Sequence, residues 1–386
     1  MTARVRGAVQ STQTFEQPFP GWLVFGRGTL SRVGSLAARF GRGALVVTDP
    51  GLVRAGIVDT VVASLRTAGL ATHVFDAVAP NPSVEQVEAG LAAGAGRGIE
   101  VIVSVGGGSA HDCAKAIALV AANGGQVGDY VGVDRSSSAA IPVVAVNTTA
   151  GSGADVSRYA VITDPERSRK MIIADWRCTP VVAINDPLTT LGLPKEQTAA
   201  TGLDALTHAI EAYVSTAASA LTDLFALRAI ELIVHALPRV LRDGTDVVAR
   251  EQMLLAATFA GLAINGALVG AVHALAHALG ALTDLPHGTC NGLLLPAVVE
   301  YNLPAARSRY RDVARAFGLG PSPERLPDAL RAFGRSVGLP TGLGPAGVDR
   351  AIVPDLVERA LDDLCLTTNP RPVGRDDAIR IYERSW

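Results

Sequence analysis

Ile99–Ala122 has the sequence IEVIVSVGGGSAHDCAKAIALVAA and decides the fold class of this chain. Its opening, Val101–Val105, is a short apolar run typical of a strand that is buried on both faces of a parallel sheet. Ala110–Ala122 predicts a helix, and Gly106–Ser109 forms a glycine-rich turn between the two. A strand that passes through a tight turn into a helix is the repeating unit of an α/β fold.

The turn itself is a candidate anion site. Gly106, Gly107 and Gly108 let the backbone approach a ligand closely, and Ser109 with Asp112 gives the S-x-x-D pattern of a helix start. Free N–H groups and the positive end of the helix suit a pyrophosphate. The turn lacks the GxGxxG fingerprint, so an ordinary strand-to-helix connection is the alternative interpretation.

Strand and helix patterns alternate around this segment over about 190 residues. We predict further strands at Trp22–Phe25, Gly43–Asp49, Thr72–Asp76, Ile141–Val146, Arg158–Thr163 and Val181–Asn185. We predict further helices at Ser31–Phe40, Val58–Ala68 and Val84–Gly96. Together they predict a doubly wound, mostly parallel, Rossmann-like sheet.

One carboxylate and one loop are placed where such a sheet binds ligands, at the carboxyl ends of its strands. Asp49 ends an early strand and could accept hydrogen bonds from an adenosine ribose; a turn or cap role is equally open. Asn147–Asp155, NTTAGSGAD, follows another strand and could face the same crevice.

The chain changes character after Pro187. Gln197–Val214, Ala220–Arg242 and Arg250–Leu282 have helical patterns, and no convincing strand follows. With 386 residues, of which 48% are apolar, the chain is long enough for two cores. We therefore predict an α/β domain at residues 1–187 and an all-α domain at residues 188–386.

Composition excludes several classes of partner. A net charge of −2 gives no electrostatic reason to expect nucleic acid or an anionic membrane as a partner. The four cysteines are far apart, which suits reduced thiols and a cytoplasmic location. Met253–Leu282 carries no charged residue, but its many alanines and its histidines indicate helices in a buried core.

The histidines of the second half form a candidate metal site. His273 and His277 are four residues apart, so on a helix they share one face, and Asp204 and His208 have the same spacing. His287 follows a predicted helix end at Leu285-Pro286. These side chains suit a borderline divalent metal such as Fe²⁺ or Zn²⁺. A single buried histidine is more often structural, and spacing alone favours His273 and His277 as joint ligands.

Several longer motifs resemble the iron-containing (group III) alcohol dehydrogenases, and the resemblance spans nearly the whole chain. The motifs are GGGSAHDCAK (Gly106–Lys115), NTTAGSGAD (Asn147–Asp155), ATGLDALTHAIEAYVS (Ala200–Ser215), VHALAHALG with LPHGTCN (Val272–Asn291) and CLTTNPRP (Cys365–Pro372). ADWRCTPVVAINDP (Ala174–Pro187) looks closest to the branch that holds the 1,3-propanediol and NAD-dependent methanol dehydrogenases. The resemblance implies a dehydroquinate synthase-like architecture.

The resemblance also implies roles for individual residues. The metal ligands would be Asp204, His208, His273 and His287, with Fe²⁺ preferred to Zn²⁺, in the helical, catalytic domain. His277 would lie beside the nicotinamide as the catalytic proton relay. Pyrophosphate would bind at Gly106, Gly107, Gly108 and Ser109, and Thr148 and Thr149 would line the cofactor cleft. Asp49 would favour NAD(H) over NADP(H), because a carboxylate repels a 2′-phosphate.

The expected activity is the interconversion of a small primary alcohol and its aldehyde by hydride transfer, as an aldehyde reductase in the cell and in a homodimer or larger homo-oligomer. Some positions depart from the family pattern and weaken inference about the substrate: Leu282, Thr283, Ala297 and Asp155. One alternative is an anionic aldehyde such as phosphonoacetaldehyde, held by Arg158, Lys170 and Arg177. The other is a dehydroquinate synthase-like cyclase that uses NAD and Zn²⁺.

Overall fold

The computed structural model describes residues 14–165, 169–283 and 285–386. Its strands are β1 (Trp22–Phe25), β2 (Gly43–Val47), β3 (Ala71–Phe75), β4 (Val101–Gly106), β5 (Gly132–Val133), β6 (Val143–Asn147), β7 (Tyr159–Asp164), β8 (Arg169–Ala174) and β9 (Val182–Asn185). Its helices in the first half are α1 (Val33–Ala37), α2 (Pro50–Arg54), α3 (Ile57–Thr67), α4 (Val84–Gly94) and α5 (Gly108–Asn123). Those in the second half are α6 (Lys195–Val214), α7 (Ala220–Arg242), α8 (Val247–Ala267), α9 (Ala271–Leu282), α10 (His287–Ala316), α11 (Leu326–Ser336), α12 (Val353–Leu361) and α13 (Arg375–Arg384).

Six strands form the predicted parallel sheet, in the order β1-β9-β6-β4-β2-β3. Strands β2, β4, β6 and β9 are buried along their whole length, which explains their continuous apolar sequences. Successive side chains point to opposite faces, so Leu45 packs with α4 and α5 while Val46 packs with α1 and α3. Helices on both faces confirm the doubly wound α/β fold.

A small second sheet, in the order β5-β8-β7, differs from the prediction. Strand β7 was predicted, but it pairs antiparallel with β8 outside the main sheet. The sequence analysis missed β8, because its charged start, Arg169-Lys170, hides the short apolar run that follows. Helix α2 was also missed, since Pro50-Gly51 is typical of a turn.

The second half is helical, as predicted. Helices α6, α7 and α8 pack together, and α9 and α10 join the same apolar core. The Arg250–Leu282 pattern splits into α8 and α9 at Leu268, whose φ is +60°. Helix α8 is long and apolar enough to span a membrane, but 67% of that stretch is buried in this core, so we assign it to the core. The domain boundary at residue 187 stays a prediction.

A cleft of about 1740 Å³ lies between the two halves. The turn after β4, the loop after β6 and residues of α6, α9 and α10 all line it. Parallel sheets bind ligands at the carboxyl ends of their strands, so the cleft has the expected position for a nucleotide.

Candidate metal and cofactor site

The glycine-rich turn and the Asn147–Asp155 loop contact each other at the carboxyl ends of β4 and β6. Gly106 is paired with Asn147, and the Thr148 N–H donates to the Gly106 carbonyl at 2.9 Å. A Cβ at Gly107 would lie only 2.8 Å from the Thr149 side chain, so the turn needs glycine there. Gly107, Gly108, Ser109, Thr148 and Thr149 all line the cleft.

The predicted capping role of Ser109 and Asp112 is wrong. Helix α5 begins at Gly108 with Gly107 as its N-cap, so Ser109 is already inside the helix. Asp112 faces β7 and accepts a hydrogen bond from the Val161 N–H at 3.1 Å. The N-terminus of α5 nevertheless points into the cleft, where its backbone N–H groups suit an anion.

Asp49 is the N-cap of α2 and also lines the cleft. Its Oδ1 accepts from the N–H groups of Gly51 at 2.8 Å and Leu52 at 3.1 Å. The cap role that the sequence left open is therefore real, but it occupies one carboxylate oxygen. The ribose role of Asp49 stays a prediction.

The four predicted ligands lie together in the same cleft. Asp204 Oδ1 lies 3.7 Å from Nε2 of His208, 3.7 Å from Nε2 of His273 and 3.6 Å from Nε2 of His287. These separations are too long for hydrogen bonds. They are close to the edge of about 3.4 Å that a tetrahedron with metal bonds of about 2.1 Å would have. Asp204, His208 and His273 each bring one ligand atom within 4.8 Å of the others, and His287 adds its Nε2 at 3.6 Å from Asp204, so the donor set fits a divalent metal.

Three helices bring these side chains together. Asp204 and His208 are one turn apart on α6, His273 is in the first turn of α9, and His287 is the first residue of α10. A Cβ at Gly288 would overlap the Ala200 carbonyl, so glycine lets the start of α10 approach α6 closely.

Three of the four side chains already have the charge state that a metal ligand needs. Burial lowers the pKa of His208 to about 4 and that of His287 well below its ordinary value, so both imidazoles are neutral near pH 7. Burial raises the pKa of Asp204, but the neighbouring imidazoles outweigh it and hold that pKa below its usual range. For His273 burial is likewise outweighed, by Glu211 and Asp204, and its pKa rises to about 9.

Metal binding should therefore release about one proton at pH 7, from His273, because an imidazole must be neutral to ligate. Below about pH 9 the metal-free His273 carries the extra proton, so apparent metal affinity should rise with pH, by about tenfold per unit. Calorimetric titration of metal-free protein with the metal, in buffers of different ionisation enthalpy, measures the number of protons released. Zero release at pH 7 would contradict this assignment of charge.

His277 lies beside the cluster but has another partner. Its Nδ1 is 2.8 Å from Asp363 Oδ2, and its ring stacks on that of His287 with centroids 5.3 Å apart. Asp363 Oδ1 also accepts from the Cys365 N–H. Among the described residues, His277, Asp363 and Cys365 form a group separate from Asp204, His208 and His273. This geometry argues against His273 and His277 as joint ligands.

Three polar residues that hold the site were not predicted from the sequence. Glu211 contacts His273, and Asp363 contacts His277. The Asn291 amide nitrogen lies 2.8 Å from Asp204 Oδ1 and 3.2 Å from Nε2 of both His273 and His287. Asn291 is four residues after His287, and Glu211 is three after His208, so helical spacing was a usable signal for both. Asp363 lies far along the chain and offered none.

The residues suggested for an anionic substrate do not converge. Arg158 lies near Asp134, at 4.0 Å, and Arg177 near Asp175, at 3.8 Å, and neither lines the cleft. Lys170 does line it, and donates to Asn81 at 3.1 Å.

Most departures from the family pattern are structural. Ala297 is in the helical core, and buried Asp155 accepts from Asn185 at 2.9 Å. Leu282 packs on the helical core, and Thr283 donates to the Leu279 carbonyl.

A nucleotide-type turn and a metal-type cluster in one cleft are the parts of a metal-dependent oxidoreductase. Residues 20–187 match the iron-containing alcohol dehydrogenase profile, and residues 198–386 match the C-terminal profile of the Fe-containing alcohol dehydrogenase family. The chain therefore belongs to the iron-containing alcohol dehydrogenase family, and it is an alcohol–aldehyde oxidoreductase.

Individual relatives agree over nearly the whole chain. Alcohol dehydrogenase 4 of Saccharomyces cerevisiae is 44% identical over 366 residues, which cover 94% of this chain and 96% of that one. NAD-dependent methanol dehydrogenase of Bacillus methanolicus is 40% identical, with 94% and 97% covered. A crystal structure of 1,3-propanediol oxidoreductase is 40% identical and matches with a TM-score of 0.94, covering 97% of this chain and 100% of that one. The predicted family, architecture and branch resemblance are thus confirmed.

Proposed function

We propose that this protein reduces a small, uncharged aldehyde to its primary alcohol with NADH, using a metal held by Asp204, His208, His273 and His287. The observation that carries the proposal is that the cluster and the glycine-rich turn line one cleft. Gly107–Ser109 would hold the pyrophosphate of the cofactor in the cleft that the cluster also lines. When bound, a divalent metal supplies Lewis acidity at the carbonyl oxygen, and NADH supplies the hydride.

We propose Fe²⁺ in preference to Zn²⁺, on the strength of the family alone, since three imidazoles and one carboxylate accept either ion. Metal analysis of protein purified without added metal tests this preference, and a Zn²⁺ content above that of iron would contradict it.

In this proposal His277 supplies the proton for the product oxygen. Asp363 accepts the Nδ1–H of His277 at 2.8 Å, which leaves Nε2 as the atom that holds and donates the transferred proton. Burial raises the pKa of Asp363, but His277 and nearby hydrogen bonds outweigh it, and the carboxylate stays ionised. The hydrogen bond to Asp363 thus fixes the orientation of the His277 ring for proton transfer from Nε2.

The substrate end of the cleft favours a small uncharged molecule. Apolar or neutral side chains line it beside the histidines: Ile264, Leu268, Val269, Leu364 and Cys365. Burial raises the pKa of the Cys365 thiol well above its usual value, so this group is neutral too. Phosphonoacetaldehyde and the cyclase reaction both involve anionic substrates, which need several cations together. Of the predicted trio only Lys170 lines the cleft, and the other cations that line it, among the residues that the structure describes, are Arg54 and Lys195, neither of which was predicted to hold an anionic substrate.

A screen of NADH oxidation with small aldehydes on metal-loaded protein tests this proposal. We expect turnover of uncharged short aldehydes and at least about tenfold lower kcat/KM for phosphonoacetaldehyde. Preferred turnover of the anionic aldehyde would contradict the proposed substrate class, and no NADH oxidation with any aldehyde would contradict the proposed reaction.

Asp49→Asn should reduce the preference for NADH over NADPH by at least about tenfold, an effect of roughly 1.4 kcal/mol. The amide keeps an oxygen for the α2 cap, so stability should hold, whereas the charge that repels a 2′-phosphate is lost. The measurement is kcat/KM for each cofactor, with the melting temperature as control. An unchanged ratio of kcat/KM for the two cofactors would show that Asp49 acts only as the N-cap of α2.

We also propose a homo-oligomer, at least a dimer, in a reducing, cytoplasmic compartment. The edge strand β1 exposes Trp22 (54%) and Leu23 (38%), and such apolar surface on a sheet edge favours association. All four cysteines are free and buried, which agrees with a reducing location. Sedimentation as a monomer at micromolar concentration would contradict the oligomer, and fractionation of the native cells would test the location.

A further inference from the structure

One buried carboxylate joins the end of α6 to the start of α9. Glu211 is 3% exposed and follows His208 by three residues on α6. Its Oε1 accepts from the Val272 N–H at 2.6 Å, and its Oε2 is 2.5 Å from His273 Nδ1. The same side chain therefore holds the backbone and the ring of neighbouring residues on α9.

The backbone at the start of α9 packs closely against this carboxylate. A Cβ at Gly270 would lie 3.0 Å from Glu211 Oε1 and 2.9 Å from Asn369 Oδ1. Asn369 in turn accepts from the Ala271 N–H at 3.2 Å. The first N–H groups of the helix, which have no partner within the helix, are thus satisfied by these two side chains.

The hydrogen bond to Nδ1 has a consequence for the opposite ring nitrogen. An ionised carboxylate accepts only, so His273 must carry its hydrogen on Nδ1. In the neutral imidazole the lone pair is then on Nε2, the atom that lies 3.7 Å from Asp204 Oδ1. In the described part of the chain, the Nδ1 atoms of His208 and His287 have no hydrogen-bond partner. His273 is therefore the one imidazole of the three whose Nδ1–H a carboxylate accepts, which leaves Nε2 to ligate once the ring is neutral.

We propose that Glu211 is a positioning residue that fixes the ring orientation and tautomer of His273, and so determines how tightly the cluster binds a divalent metal. This inference rests on the proposed metal site. Partners of this kind orient metal-binding histidines and typically change metal affinity by about 10–100-fold when they are removed.

Glu211→Gln is the sharpest test, because the amide has the same shape but one acceptor. If its oxygen accepts from Val272, its NH₂ faces His273 Nδ1 and moves the ring hydrogen to Nε2, the ligating atom. We expect the Kd for Zn²⁺ to rise about 10–100-fold. It is measured by chelator competition on metal-free protein above about pH 9, where His273 is already neutral in the wild type, so that the loss of the extra proton does not mask the effect. Asp363→Asn is the matched control: it makes the same change opposite His277, and its Zn²⁺ affinity should equal that of the wild type.

A second variant covers the case in which Glu211→Gln does not fold. Gly270→Ala keeps every ionisable group and crowds Glu211 Oε1, so Zn²⁺ affinity should fall in the same direction by a smaller factor. The proposal would be overturned if both variants fold and bind Zn²⁺ as tightly as the wild type. If Glu211→Gln does not fold, wild-type affinity in Gly270→Ala would overturn it. Asp204→Asn separates this failure from failure of the site: unchanged affinity there would mean that the metal binds elsewhere.

Discussion

Asp204→Asn should lower kcat/KM for aldehyde reduction by at least about 10³-fold while the protein stays folded. The Nε2 atoms of His208, His273 and His287 all lie 3.6–3.7 Å from Asp204 Oδ1. The amide has nearly the same shape, so the packing of α6 should survive. It carries no charge, however, and it is a much weaker ligand than the carboxylate.

The control for this variant is Asp155→Asn. Asp155 is equally buried, but it accepts from Asn185 at 2.9 Å and belongs to no metal-type group among the described residues. We expect that variant to keep its metal and at least about a tenth of its activity. Wild-type turnover in Asp204→Asn would contradict the site, whatever its melting temperature.

His277→Ala should lower kcat by about 10²–10⁴-fold, the usual contribution of a positioned proton donor. His277 hydrogen-bonds to Asp363 and stacks on His287, so it lies beside the proposed metal cluster but is not one of the proposed ligands. Asp363→Asn should act in the same direction with a smaller effect, because it disturbs the orientation of the ring but keeps the ring itself. The pH dependence of kcat should also change in His277→Ala, since the histidine no longer takes part.

Activity alone would not show whether His277 relays a proton or ligates the metal. Solvent isotope effects and metal content should therefore be measured for both His277→Ala and Asp363→Asn. A relay predicts a retained metal and an altered dependence of kcat on pH. Wild-type kcat in His277→Ala would show that another group donates the proton.

The sequence predicted the sheet well because continuous apolar runs such as Gly43–Val47 have one physical explanation, burial on both faces. Prediction from the sequence failed where a local motif indicated a structure different from the one that forms. Ser109 and Asp112 matched a capping motif, yet the helix starts earlier, at Gly108, because the preceding glycines let the backbone turn sooner. Strand β8 was not predicted because its charged start, Arg169-Lys170, hides the short apolar run that follows.

The site shows the same limit. Helical spacing grouped Asp204 with His208 correctly, because both are on one helix. The same rule grouped His273 with His277, whose rings turn to different carboxylates, Glu211 and Asp363. Each carboxylate comes from a distant part of the chain, and spacing within α9 carries no information about either. Family resemblance supplied the distinction that spacing could not.

The most direct test of the account is the metal content of purified His277→Ala measured beside that of His287→Ala, both grown with iron. His287 Nε2 is 3.6 Å from Asp204 Oδ1, whereas His277 Nδ1 is bound to Asp363. We predict that His277→Ala retains the wild-type metal content and that His287→Ala loses most of it, with both proteins folded. A metal-free His277→Ala, or a His287→Ala with full metal content, would mean that the four ligands have been assigned wrongly.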